Sequence, residues 1–99
     1  MNTRILPSGE KDLEEIYDYL AIESPVYADE FLSKLHSSLS KLLKFPRSGK
    51  LTVIYGLKSS GYRYIKMGRY YIYYRIEENA IFIYRIIHTS RNQDTILNK

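Results

Sequence analysis

The sequence contains no cysteine, which excludes disulfides and any thiolate metal site. It has two histidines, His36 and His88, and neither stands beside carboxylates at metal-ligand spacing. No metal and no cofactor are expected. No apolar run approaches the roughly 20 residues that cross a bilayer, so no membrane contact is expected. The opening Met1-Asn2-Thr3-Arg4-Ile5-Leu6 lacks the apolar segment and small-residue cleavage site of a secretory leader. A cytoplasmic location is the expectation. Gly49, Gly56, Gly61 and Gly68 are too scattered to cradle phosphate. There is no G-x-S-x-G elbow, and no carboxylate pair near the basic region for two-carboxylate chemistry. Any catalysis would have to come from arginine, lysine, histidine or tyrosine.

The 99 residues bound a single domain over 1–99. A domain this small buries only about 60–70% of its unfolded surface. With no covalent or metal staple, a partner protein or self-association is the expected extra source of stability. The net charge of +4 is unevenly spread. Residues 1–45 carry five Lys/Arg against eight Asp/Glu, a net of −3, while residues 46–99 carry ten against three, a net of +7. A basic half of this kind attracts nucleic acid, a ribosome or an acidic protein segment. It is equally compatible with a basic surface kept for solubility.

The order of patterns is helical first and strand-rich second, which predicts an α+β fold. Ser8 is placed to cap a first helix, with Glu10 and Asp12 favourable at the positive end of its macrodipole. Leu13, Ile16, Tyr17 and Leu20 then follow at the spacing of one buried helical face. Ser24-Pro25 opens a second helix as N-cap and first helical residue. Its stripe is Ala28, Phe31, Leu32, Leu35, Leu39, Leu42 and Leu43, and Pro46 ends it near Phe45. The short link between the two predicts an antiparallel hairpin.

A strand-rich region follows. Leu51–Tyr55, Tyr62–Met67, Tyr70–Ile76 and Ala80–His88 read as strands, with a loop over Gly56–Gly61 carrying Lys58. Their short turns predict an antiparallel meander of three to four strands under the helical hairpin. Asn2–Leu6 can add an edge strand. Within Tyr70–Ile76, the face of Ile72, Tyr74 and Ile76 is the better match to the helices than that of Tyr71, Tyr73 and Arg75. Ala80–His88 is apolar on both faces except at Arg85, the pattern of a central strand.

Two features could carry function. Eight of the eleven tyrosines lie between Tyr55 and Tyr84, interleaved with Arg63, Lys66, Arg69, Arg75 and Arg85. Aromatics beside cations on an open sheet can stack bases and neutralise phosphate. Tyrosine is also simply a good strand former whose ring packs while its hydroxyl reaches water. The second feature is His88-Thr89-Ser90-Arg91-Asn92, where a strand end aims polar groups outward. His88 could exchange protons and Arg91 could hold a phosphate. Alternatively, His88 caps the strand by a backbone hydrogen bond and Arg91 is a surface cation. His36 is read as a surface residue.

The sequence resembles the RelE/ParE toxin family over nearly its whole length. The resemblance is carried by Leu6-Pro7-Ser8 with Asp12-Leu13-Glu14-Glu15-Ile16-Tyr17-Asp18-Tyr19-Leu20, by Ala28–Leu35, and by Leu43-Lys44-Phe45-Pro46-Arg47-Ser48-Gly49. It continues through Gly68–Ile76 and Ile83-Tyr84-Arg85-Ile86-Ile87-His88-Thr89-Ser90-Arg91-Asn92. The long helical hairpin is closest to the ParE-like branch. The resemblance implies the toxin of a type II toxin–antitoxin, plasmid-stabilising module that poisons DNA gyrase. It also implies an antitoxin whose acidic C-terminal segment folds over the toxin in an oligomeric complex.

RelE-like members are instead ribosome-dependent mRNA endoribonucleases. For that reading Arg91 would stabilise the developing charge, with His88 or a lysine moving the proton and Arg69 assisting. Tyr71 stands where those ribonucleases carry a sheet arginine, and no tyrosine follows Tyr84. The cations expected to meet a target are Arg63, Lys66, Arg69, Arg85 and Arg91. A third reading is a non-toxic nucleic-acid-binding module, which would show salt-dependent binding and no growth arrest.

Overall fold

The computed structural model of the chain describes residues 1–52 and 61–91. The elements run β1 (Asn2–Ile5), α1 (Pro7–Glu23), α2 (Pro25–Lys44), β2 (Lys50–Leu51), β3 (Arg63–Met67), β4 (Tyr70–Glu77) and β5 (Ala80–His88). They form one five-stranded sheet in the order β1-β5-β4-β3-β2. The expected three- to four-stranded antiparallel sheet is thus corrected to a larger, mixed one. From β2 to β5 the chain is the expected meander, but β1 pairs with β5 in parallel. Parallel partners need a long crossover, and here everything between β1 and β5 serves as one. The expected strand at Leu51–Tyr55 is observed as Lys50–Leu51. Residues 53–60, with the Lys58 loop, lie outside the described residues.

Local chemistry sets the helix ends, with one difference from expectation. Ser24 caps α2, its hydroxyl accepting the Val26 N–H at 3.2 Å, with Pro25 at the first helical position. That helix stops at Phe45, before Pro46. The single residue Ser24 separates the helices. Ser8, however, does not cap α1. Leu6 holds that position and Pro7 opens the helix. The Ser8 hydroxyl instead donates across to the Tyr84 carbonyl at 2.8 Å.

The helices cover one face of the sheet. Phe31, Leu35, Leu42, Ile72, Tyr74, Ile81, Ile83 and Ile86 form the core there, with Leu13, Ile16 and Leu20 of α1 partly buried against it. The expected inward face of β4 is the observed one. Leu32 and Leu43, assigned to the stripe of α2, lie at its exposed margin. On the opposite face Tyr73 and Ile87 are buried among Tyr62, Tyr64, Tyr71 and Tyr84.

The two-sided pattern of β5 depends on a β-bulge. Tyr73 pairs with Arg85, but the next residue, Tyr74, pairs with Ile83. The extra residue resets the alternation of side chains. Ile81 and Ile83 before it and Ile86 after it therefore share the helix-facing core, although strict alternation would separate them.

The first turns of α1 sit against this bulge. The Asp12 carboxylate takes two hydrogen bonds from the Arg85 guanidinium, at 2.6 and 3.0 Å, and a third from the Ile86 N–H at 2.9 Å. Gly9 permits the approach, since a Cβ there would lie 3.1 Å from the Ile83 carbonyl oxygen and 3.1 Å from Ile5. The Asp12 hydrogen bond raises the Arg85 guanidinium above its ordinary value, against the opposing effect of desolvation. Both side chains are largely buried, so removing the carboxylate strands a cation and a backbone donor. Asp12→Ala should lower the unfolding free energy by about 2–4 kcal/mol in urea titrations, and Asp12→Asn, which keeps an acceptor, by less. A loss below about 1 kcal/mol for the alanine variant would show that the clamp is not structural.

Candidate functional site

Sheet register gathers three of the expected site residues, Arg69, His88 and Arg91, at one end of the sheet. Gly68 and Arg69 form the two-residue turn between β3 and β4, and Tyr70 pairs directly with His88. The Thr89 N–H donates to the Arg69 carbonyl at 2.8 Å, and the Arg91 N–H to the His88 carbonyl at 3.1 Å. Arg69, His88 and Arg91 are therefore neighbours in backbone terms, with Arg69 and Arg91 exposed.

His88 is held by its own strand end. Its Nδ1 accepts the Ser90 N–H at 3.0 Å and lies 2.7 Å from the Ser90 hydroxyl. A backbone N–H can only donate, so Nδ1 carries no proton in this arrangement, and a neutral ring holds its proton on Nε2. The ring also packs edge-on against Tyr70, with centroids 5.3 Å apart.

The remaining expected cations divide by their partners. Arg85 is spent on Asp12. Arg63 donates to the carbonyls of Gly49, at 2.8 Å, and Arg47, at 3.3 Å, so it fastens the turn before β2. Lys66, Arg69 and Arg91 are exposed and make no ion pair among the described residues. Arg75 lies 3.8 Å from Glu77 and 5.8 Å over the Tyr62 ring. The tyrosines of the second sheet face contact one another, as in Tyr64–Tyr71 at 5.5 Å and Tyr62–Tyr84 at 5.2 Å. They form a small aromatic core there rather than a row of open rings. His36 is exposed on α2, as expected.

A groove of about 640 Å³ separates the helical hairpin from the Gly68–Arg69 turn, lined by Leu20, Tyr27, Phe31, Lys34, Arg69 and Tyr70 among others. Beside it the hairpin tip is unusually apolar for a surface: Tyr19 is 65% exposed, Ile22 85% and Tyr27 57%. Burial is the main cause pushing the Tyr70 phenol up, nearby Tyr19 adds to it, and Arg69 opposes it. Sequence reasoning missed this patch because Tyr17, Leu20, Ile22 and Tyr27 are not separable into buried and exposed sets by spacing alone. The fact that Ile22 falls off the Leu13, Ile16, Leu20 stripe was the available signal.

Among the described residues no cluster of histidine and carboxylates could hold a metal, and no helix is long and apolar enough to cross a membrane. The helical hairpin over a mixed sheet is the fold of a solved toxin–antitoxin chain, described as "Chromosomal ParDE TA system from P. aeruginosa". The TM-score is 0.71 at 19% identity, covering 91% of this chain and 97% of that one. The chain also matches the family described as ParE toxin of type II toxin–antitoxin system, parDE, over residues 4–93. It belongs to that family. No curated protein is similar enough in sequence to match.

The turn that Arg63 holds is also fixed by Tyr74, whose hydroxyl donates to the Pro46 carbonyl at 2.7 Å and accepts the Gly49 N–H at 2.9 Å. A Cβ on Gly49 would fall 2.5 Å from that oxygen. Burial pushes the Tyr74 phenol up, while the Gly49 hydrogen bond, Arg63 and Ser48 pull it back. A phenol raised in the folded state favours folding while protonated. That contribution is complete below the ordinary value near 10 and is lost as pH rises through the folded value. Thermal melts should therefore show an alkaline loss of stability above about pH 10 from Tyr70 and Tyr74. Tyr74→Phe should reduce that loss while costing about 1–2 kcal/mol at neutral pH through the orphaned Gly49 N–H. An unchanged alkaline profile in the variant would exclude Tyr74 as a source.

Proposed function

We propose that this ParE-family toxin inhibits DNA gyrase by binding it, without making or breaking a bond itself, and is silenced by a cognate antitoxin. The observation that carries this reading is the family match over residues 4–93. Two features support a binding role over catalysis. A general base needs an unprotonated nitrogen facing its substrate, and the bare nitrogen of His88 is occupied by Ser90. Tyr71, which stands where RelE-like nucleases carry an arginine, packs in the aromatic cluster. The target-facing cations are then Lys66, Arg69 and Arg91, with Arg63 and Arg85 acting as structural residues.

The antitoxin is proposed to cover the apolar hairpin tip and its groove, since exposed apolar patches of this kind mark partner surfaces. Its acidic C-terminal segment would meet Arg69 at the groove's end, in an oligomeric cytoplasmic complex. The second reading, an mRNA endoribonuclease, is favoured by one observation: the backbone bond that brings Arg69 beside His88 and Arg91.

Purified toxin incubated with gyrase and plasmid, and separately with translating ribosomes, distinguishes the two. Gyrase-linked DNA breaks or blocked supercoiling with intact mRNA is the expected result, and cleaved mRNA with unaffected gyrase would overturn it. Arg91→Ala should abolish growth arrest on expression with its melting temperature unchanged. Arrest at wild-type potency would remove Arg91 from the site.

A further inference from the structure

The division of charge between acidic front and basic back hides a sharper boundary. Residues 31–76 contain ten Lys/Arg and not one Asp/Glu. The cationic segment therefore starts within α2, not after it. Lys34, Ser37, Ser38 and Lys41 follow at i, i+3, i+4 and i+7, which places them along one face of that helix. That face meets Lys66 and Gly68 across a shallow groove of about 380 Å³. The groove shares Lys34, Met67 and Gly68 with the larger one beside Arg69, so the two form one channel. The α2–β3 part of that channel carries three cations, Lys34, Lys41 and Lys66, and no carboxylate.

None of these cations forms an ion pair among the described residues, and Lys34 makes none even with Glu30 one turn away. Lys41 has an ordinary reason for its place, since cations suit the last turn of a helix. Lys34, in mid-helix, lies outside that last turn. From these residues we propose that the α2–β3 groove is a binding site for the phosphodiester backbone of nucleic acid.

The chemistry of the lining selects this ligand. Lysines and serine hydroxyls are the side chains that hold phosphate oxygens. Protein partners are instead anchored by aromatic and other large apolar groups, and the α2–β3 part of the channel has only the buried Met67. The scale fits as well: seven residues of helix span about 10 Å, roughly the axial rise of three nucleotide steps on one duplex strand. The inference does not depend on gyrase being the target.

The test uses fluorescence anisotropy on the purified full-length toxin, with a labelled 20-base-pair DNA duplex and a single-stranded RNA of equal charge, across a salt series. Wild type should bind at least one of them with a salt-dependent affinity, and whichever it prefers identifies the source of the backbone. Lys34→Gln/Lys41→Gln should weaken binding at least about tenfold at 0.1 M salt and reduce the log–log salt slope by about 2. The charge-matched control Arg4→Gln/Arg47→Gln, placed away from the groove, should retain most of the affinity. No binding by wild type, an equal loss in the control, or an unchanged slope in the lysine variant would overturn the site. Weakened antitoxin binding with nucleic-acid binding intact would assign the groove to protein and also overturn it. Circular dichroism on each variant establishes that the fold is retained. Because no gyrase is present, a negative result here leaves the gyrase reading standing, and the reverse also holds.

Discussion

The carboxylate of Asp12 is the contact on which the geometry of β5 depends. It neutralises Arg85, satisfies the Ile86 N–H at the bulge, and ties α1 to the middle of the sheet. The Ser8 hydroxyl on the Tyr84 carbonyl and the missing side chain of Gly9 complete the seat. A partly buried cation without this partner would be costly, and so would the unpaired N–H. The bulge sets which face Ile86 occupies, and this carboxylate fastens the bulge to α1, two residues before His88.

A second fastening uses Tyr74 and Arg63 to hold the Pro46–Gly49 turn. Together the two fastenings consume two of the cations in the basic half. Of the five cations expected to meet a target, Lys66, Arg69 and Arg91 are left in water, at the end of the sheet near the helical groove. The apolar hairpin tip adjoins that groove, which Tyr27 also lines. An acidic, partly apolar partner and an anionic backbone would thus meet adjoining but chemically different surfaces.

Much of the fold was legible in the chain. The spacing of Leu13, Ile16 and Leu20, the Ser24-Pro25 start, the stop before Pro46 and the inward face of Ile72 and Tyr74 each follow from local rules. The bulge in β5 was not legible, because Ile81 to Ile87 is apolar at nearly every position and gives alternation nothing to mark. The parallel pairing of β1 was equally hidden, since it joins residues almost eighty positions apart. Ser8 matched a capping pattern and was misplaced for a physical reason: Pro7 had already supplied the helix start, which freed the hydroxyl for the sheet. At the site, Arg63 and Arg85 looked like surface cations because nothing in a one-dimensional pattern shows that a carbonyl or a carboxylate comes to meet them.

What the chain by itself determined were the properties set by near neighbours: the helix limits, the strands, the resemblance to RelE/ParE toxins, and a basic back half with few catalytic options. Only the tertiary structure decided which cations are structural and which are available, that His88 turns its bare nitrogen to Ser90, and that Lys34 and Lys41 of one helix face Lys66 of a strand. Those outcomes depend on contacts between residues distant in sequence. Register and packing create such contacts, and no local periodicity encodes them.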